Sequence, residues 1–256
     1  MKINAKNPID GSDLFWIDNS FSKNNFPGLD FEPLQKKHSL KYILDKGRGV
    51  VDAGAHIGDY GIPLAHALRN LNREDITVYC IDPCQEKCQY MLDVIKLNKL
   101  SNIKVLNYGL SNDTSHYSVC EQGRGGRKSQ GINTGAWQYK PDPNGTEFTT
   151  LDNLYDQNLI GPIGFFWLDA QWMEINVLRG GIKYLSKYKP YILMEYWPVW
   201  SYLEDGVSVD KTGRGTLAQL RKDSIFQDFF KKCNLEIHQH QDPNFHDILL
   251  RFNNNN

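Results

Sequence analysis

Gly49-Val50-Val51-Asp52-Ala53-Gly54-Ala55-His56-Ile57-Gly58-Asp59-Tyr60-Gly61 is the stretch that decides the fold. Val50 and Val51 ask for a covered, pleated strand, and Gly54 and Gly58 let the following backbone turn sharply and approach a ligand more closely than any residue with a Cβ allows. The spacing therefore predicts a buried strand, a glycine-rich turn and a helix over Ile62 to Leu71. Open α/β sheets hold small molecules at units of this kind.

Spacing also narrows the ligand. A dinucleotide fingerprint reads G-x-G-x-x-G, its second glycine making room for a pyrophosphate at a helix N-terminus. Here the glycines fall as G-x-x-x-G-x-x-G, and Asp52 stands two positions before the first. A carboxylate there repels a pyrophosphate and suits an ammonium group, so the expected ligand is cationic or zwitterionic. S-adenosylmethionine, with its amino-acid tail and sulfonium, fits. Ala55, His56 and Tyr60 lie in the same turn and are expected contacts. Thr77 to Asp82 reads as a second strand ending in an acid, Pro83 stops further pairing, and a helix from Gln85 to Leu100 follows. An acid at this tip accepts from ribose hydroxyls in nucleotide-binding sheets, so Asp82, with Pro83 beside it, is the expected ribose contact. Ile103 to Tyr108 is a third strand, with Gly109 and Leu110 as the expected adenine wall.

A chain of 256 residues, 40% hydrophobic, suffices for one compact α/β domain. Lys and Arg number 29 against 30 for Asp and Glu, so no global basic field points to nucleic acid. Apolar residues nowhere run long enough to span a bilayer, and Met1 to Asp10 carries no apolar core after a basic start; the expectation is a cytoplasmic chain without a membrane span. Cys80, Cys84 and Cys88 recur every four residues, but no second Cys or His pair completes a zinc tetrad, and they read as reduced packing residues.

Outside the opening unit, residues 1–31 read as an arm or cap without regular period, and residues 32–252 as the catalytic domain. Glu32 to Lys46 is a helix with Leu34, Leu40, Ile43 and Leu44 as its apolar face. Between His116 and Phe148 the alternation breaks: Gly123 to Lys128 is glycine-rich and basic, and Pro141-Asp142-Pro143-Asn144-Gly145 is a turn. The insertion reads either as a solvated excursion or as an acceptor lid, in which Arg124 and Arg127 meet a phosphate or sugar while Trp137 and Tyr139 stack on a ring. Thr149 to Leu154 opens a short helix, Gly164 to Leu168 is a fourth strand, Ile175 to Tyr188 a helix, and Tyr191 to Glu195 a fifth strand. Asp52, Asp82, Asp169 and Glu195 would then all stand at carboxyl ends of strands, as one constellation. Further on come a loop with Lys211 and Arg214, a helix from Phe226 to Cys233, and two antiparallel strands, Leu235 to His240 and Asp247 to Phe252. Residues 253–256 are expected as a disordered tail.

The blocks VVDAGAHIGDYG, VYCIDP, NKLSNIKVLNYGLSND, TLDNL, FFWLDAQWMEINVLRGG and KPYILMEY follow in this order over about residues 32–197. In them the chain resembles the FkbM-type S-adenosylmethionine-dependent methyltransferases. Where this chain has FFWLDAQWMEINVLRGG, that family reads K-I-D-V-E-G-x-E followed by x-V-L-x-G; Asp169, Glu174, Val177, Leu178 and Gly180 match it, whereas Trp167 replaces the lysine, Gln171 the first glutamate and Trp172 the glycine. The resemblance implies a Rossmann-like class I methyltransferase fold, a mostly parallel sheet with helices on both faces and an antiparallel C-terminal strand pair. It implies methyl transfer to an oxygen, commonly a sugar hydroxyl, so the expected partner is a carbohydrate or nucleotide-sugar acceptor. Asp169, beside the cofactor's methyl, is the expected base or orienting group, with Glu195 and His56 as further catalytic candidates. Trp172, Glu174 and Trp197 are expected at the acceptor. A divalent ion between Asp169 and Glu195 is a secondary reading, and His238, His240 and His246 read as surface residues. Three rivals stand beside this one: an arginine methyltransferase, from the nine-residue spacing of Glu195 and Glu204; a catalytically inactive binding subunit of the same fold, from Gln171 and Trp172; and a nicotinamide oxidoreductase, which a titration with NADH against S-adenosylhomocysteine would separate.

Overall fold

The computed structural model describes residues 2–18, 33–120, 138–171, 173–196, 222, 224–239 and 247–253. Among them, the central sheet has seven strands in the order β12-β13-β11-β10-β3-β4-β5. These are β3 (Gly49–Ala53), β4 (Val78–Ile81), β5 (Ile103–Leu106), β10 (Ile163–Leu168), β11 (Tyr191–Glu195), β12 (Leu235–Gln239) and β13 (Asp247–Phe252). The strands from β11 to β5 run parallel, and β13 enters antiparallel to both β11 and β12. This is the expected Rossmann-like sheet with its antiparallel C-terminal pair.

Alternation along β3 and β10 divides the core in two. Val50, Val78, Cys80, Phe165 and Trp167 face the helices α1 (Pro33–Lys46), α2 (Gly61–Asn70) and α3 (Gln85–Asn98). Val51, Ala53, Ile81, Phe166 and Leu168 face the opposite core, with α4 (Leu151–Asp156), α5 (Glu174–Arg179), α6 (Ile182–Tyr188) and α7 (Ser224–Lys232). All six residues of β10 are buried, as covered parallel strands require. From β3 the chain moves outward to β4 and β5, then returns to β10 on the other side of β3. The strand order thus reverses between β3 and β10, and the carboxyl ends at such a switch point are where open α/β sheets bind their ligands.

Four expectations need correction. Residues 2–17 are no irregular arm: β1 (Lys2–Lys6) and β2 (Asp13–Ile17) form a hairpin. Leu14 and Trp16 alternate inward to the core, while Asn98 receives the Phe15 N–H at 3.0 Å and donates to the Phe15 carbonyl at 2.7 Å. On α1 the buried stripe is Lys36, Ser39, Tyr42 and Ile43, and Leu34 is 49% exposed. The single helix expected from Ile175 to Tyr188 is two, α5 and α6, because the Asp152 carboxylate accepts the N–H of Tyr184 at 2.8 Å and of Lys183 at 3.3 Å, capping a new helix start. The insertion also contains structure: β7 (Ser115–Cys120), β8 (Gln138–Pro141) and β9 (Thr146–Thr149) join β6 (Gly109–Leu110), which precedes it, in a four-stranded sheet of order β6-β9-β7-β8. The expected turn at Pro141 to Gly145 links β8 to β9. No helix among the described residues is long and apolar enough to cross a membrane.

Candidate functional site

The turn after β3 is held from below. Asp52 is 2% exposed and its Oδ2 accepts the N–H of Gly61, the first residue of α2, at 3.1 Å. A carboxylate at a helix N-terminus answers the partial positive charge of the free amides. Burial pushes the Asp52 carboxyl well above the ordinary carboxylate range, and the neighbouring charge of Asp59 adds to this. The side chain that the sequence offers to an ammonium group lies beneath the turn, one oxygen on the first amide of α2. Gly54 has φ +78°, and a Cβ there would stand 1.8 Å from the carbonyl oxygen of Asp169. The closeness that requires this glycine is between β3 and the tip of β10, where the Asp169 N–H donates to the Ala53 carbonyl at 3.1 Å.

From the side, α1 fixes the turn. Lys36, 1% exposed, donates to both the carbonyl and Oδ2 of Asp59 at 2.9 Å. Although burial works against it, Lys36 holds the Asp59 carboxyl below its usual range. The Tyr60 hydroxyl donates to Ser39 Oγ at 2.9 Å, and its ring stacks on Trp167 with centroids 4.0 Å apart. Trp167, at the position the resemblance gives to lysine, is therefore part of the turn's support.

At the tip of β4, Asp82 is 4% exposed; Oδ2 accepts the His56 N–H at 2.9 Å and Oδ1 the Cys84 N–H at 2.8 Å. Asn107, after β5, donates to the Asp82 carbonyl at 3.0 Å. Asp82 thereby ties the β3 turn to the β4 turn, and Pro83 is half-buried beside it. His56 adopts φ +52°, with Nδ1 4.0 Å from Asp59 Oδ1. Burial lowers its imidazole to about 4, with Lys87 adding to the effect, so the ring is neutral at neutral pH. Tyr139, expected to stack on an acceptor ring, packs instead on Phe148 with centroids 5.1 Å apart. Burial raises its hydroxyl and Asp82 adds to the rise, because β8 leans toward the tip of β4. Gly109 and Leu110 are buried in β6, paired with Phe148 and Thr149.

The third group stands where β10 and β11 end. Oxygens of Asp169, Glu174 and Glu195 lie within 4.8 Å of one another. Asp169 follows β10, Glu195 closes β11, and Glu174 opens α5, where its Oε1 accepts the Ala170 N–H at 3.1 Å. Gln171, at φ +48°, donates through Nε2 to Asp169 Oδ1 at 2.6 Å and reaches Glu195 Oε2 at 3.5 Å.

The four strand-tip acids stand at the carboxyl ends of β3, β4, β10 and β11 in separate hydrogen-bonded groups, with Asp52 within electrostatic reach of Asp169. Asp169 and Glu195 come together and recruit Glu174; Asp82 joins His56; Asp52 sits under the turn between them. Arg124, Arg127, Trp137, Trp172, Trp197, Glu204, Lys211 and Arg214 lie outside the described residues, as do His240, His246 and the side chain of His238. Sequence reasoning missed Lys36, Asp59 and Gln171 as site residues. Lys36 falls four and seven positions before Leu40 and Ile43, so a lysine on the apolar stripe of an amphipathic helix was the available signal.

Residues 52–255 match the Methyltransferase FkbM domain. No curated protein matches the chain. Among solved structures the chain is similar to the methyltransferase FkbM from Methylobacillus flagellatus KT, at 16% identity and a TM-score of 0.47, over 81% of this chain and 44% of that one. It is also similar to a SAM dependent methyltransferase from Aquifex aeolicus, at 12% identity and a TM-score of 0.43, over 91% of this chain and 92% of that one. A precorrin-6y C5,15-methyltransferase from Geobacter metallireducens GS-15 follows at 8% identity and a TM-score of 0.42, covering 89% and 90%. The chain spans less than half the length of the Methylobacillus protein. With the glycine turn, the switch point and the strand-tip acids all inside the matched stretch, the chain belongs to the FkbM methyltransferase family.

Proposed function

We propose that the chain transfers a methyl group from S-adenosylmethionine to a hydroxyl of a carbohydrate or nucleotide-linked sugar, with Asp169 as the group that takes up or orients the hydroxyl proton. The observation that carries this is the carboxylate group of Asp169, Glu195 and Glu174 beside the Gly54 turn, at the switch point where the strand order reverses. The donor set fits the cofactor. Among the described residues three carboxylates gather at this edge, and His56 is held neutral, so a sulfonium with an ammonium tail meets no opposing charge from it. Asp82 is the residue for the ribose, keeping lone pairs on each oxygen beyond the one amide each accepts. When bound, S-adenosylmethionine supplies a methyl already activated by its positive sulfur.

Little else is asked of the protein beyond placement and a proton acceptor. An alcohol is a poor nucleophile while neutral, so a carboxylate within hydrogen-bond reach raises its reactivity as the proton leaves. Asp169 is itself held in place by its N–H on Ala53 and by Gln171, which limits the geometries available to a bound hydroxyl. Closely set acids also match the vicinal hydroxyls of a sugar, each of which is a donor. The test is a mass-spectrometric screen of free, nucleotide-linked and polymeric sugars, followed by Asp169→Asn on the acceptor found. The rate constant for transfer should drop about a hundredfold while S-adenosylhomocysteine affinity stays within a few fold. Transfer indifferent to the substitution removes Asp169 from the chemistry.

A further inference from the structure

The three acids at the β10–β11 edge raise a question of charge. Carboxylate oxygens within 4.8 Å of one another repel, and such clusters are stabilised by a cation, a proton or hydrogen-bond donors. Here a donor is in place. Gln171 holds a left-handed backbone at φ +48°, which a non-glycine residue keeps only where its surroundings demand it. Its Nε2 contacts Asp169 Oδ1 at 2.6 Å and Glu195 Oε2 at 3.5 Å, joining the last positions of two paired parallel strands. A side-chain amide facing two carboxylates must present its nitrogen to them. Glu174 is fully buried and turned to the Ala170 N–H, which binds the third acid into the same loop.

We propose that the Gln171 carboxamide stands where a divalent cation would otherwise bridge Asp169 and Glu195, making Gln171 the positioning residue that orients Asp169 and leaves methyl transfer independent of a metal ion. An N–H donor is the wrong pole for a metal: a hard cation takes oxygen ligands at about 2.0 to 2.6 Å, and the Gln171 nitrogen already occupies the gap between the two acids. The proposal rests on the assignment of Asp169 to the acceptor hydroxyl for its kinetic part, but its metal part does not.

The experiment uses Mn²⁺ as the probe, read by electron paramagnetic resonance on wild type, Gln171→Glu and Gln171→Asn, with melting curves for each. Wild type should bind no Mn²⁺ at this cluster, and Gln171→Glu, which swaps the donor for a fourth carboxylate, should bind about one ion per chain. With an acceptor in hand, wild-type transfer should be unchanged by EDTA. Gln171→Glu should lose tenfold or more in kcat, with KM little changed, its pH profile displaced upward, and should recover with Mg²⁺ or Mn²⁺. Should Gln171→Glu fail to fold, Gln171→Asn, which tolerates the left-handed backbone but is too short to bridge, should lower kcat in the same way. Mn²⁺ bound by wild type and released in Asp169→Asn overturns the proposal, as does a kcat and pH profile untouched by both variants. Because the resonance spectra need no turnover, a failure to find any acceptor counts against the proposed function alone.

Discussion

Gly54→Ala tests the contact between β3 and β10 that shapes the site, and Gly11→Ala supplies its control. Both glycines have nearly the same backbone, φ +78° and φ +76°, but a Cβ on Gly11 meets nothing within 4 Å whereas one on Gly54 would lie 1.8 Å from the Asp169 carbonyl oxygen. The left-handed conformation alone costs an alanine about 1 to 2 kcal/mol, and Gly11→Ala should show only that. At Gly54 the oxygen must retreat by about 1.2 Å to reach even 3.0 Å. This oxygen belongs to a peptide anchored by Asp169 N–H on Ala53, so overpacking adds about 2 to 3 kcal/mol. Urea titration should therefore give a loss of about 3 to 5 kcal/mol for Gly54→Ala, and a melting temperature lower by roughly 10 °C against about 3 °C for Gly11→Ala. The same displacement moves the Asp169 carboxylate by about 1 Å, enough to cost transfer on the order of a hundredfold. Equal losses in the two variants would mean that β3 and β10 are not locked at this point, and the reasoning fails.

Three further outcomes follow from neighbouring groups. His56 titrates at about 4 in the folded chain against 6.5 in the unfolded one; the unfolded state binds the extra proton between those values, so the stabilisation is complete above pH 6.5 and lost as pH falls toward 4, about 3 kcal/mol in all. His56→Asn, which tolerates the left-handed backbone, should lose less stability than wild type between pH 7 and 4.5, and parallel curves would refute this. At Asp82 each oxygen accepts a backbone N–H, and the amide of Asp82→Asn can serve only one of them. A ligand-free loss of about 1 to 3 kcal/mol should accompany weaker S-adenosylhomocysteine binding, and an unchanged melting temperature would contradict the observed bonds. Asn98→Ala removes both bonds to Phe15 and should cost about 2 kcal/mol, seen as faster proteolysis within residues 2–17; cleavage at the wild-type rate would show the hairpin held by Trp16 packing alone.

What the sequence made legible was whatever a short window encodes. Val50 and Val51 before the glycine turn, the continuous apolar run of β10 and the limits of β11 were readable because burial on both faces leaves a local signature. Leu34 misled because hydrophobicity alone does not choose the face of a helix, and the packed stripe was set by Lys36 finding Asp59 across 23 positions. The break between α5 and α6 depends on Asp152, 32 positions before Tyr184. In the insertion, β7 to β9 are short and carry Ser, His, Tyr, Lys and Glu without a clean alternation, so their pairing was hidden until tertiary contacts were known. Gln171 read as a departure from a motif; its role lay in a bond to Glu195, 24 positions on.

The pairing of β7 with β8 has a consequence for changes of length in this chain. Cys120 and Gln138 are register partners at one end of that ladder, so the two positions that bound residues 121–137 are fixed beside each other. Closing a loop twice as long adds only about 0.6 kcal/mol, little against the stability of a domain. A change of length between two ends so fixed therefore disturbs neither the β7–β8 register nor β4 and β10, at whose tips Asp82 and Asp169 stand.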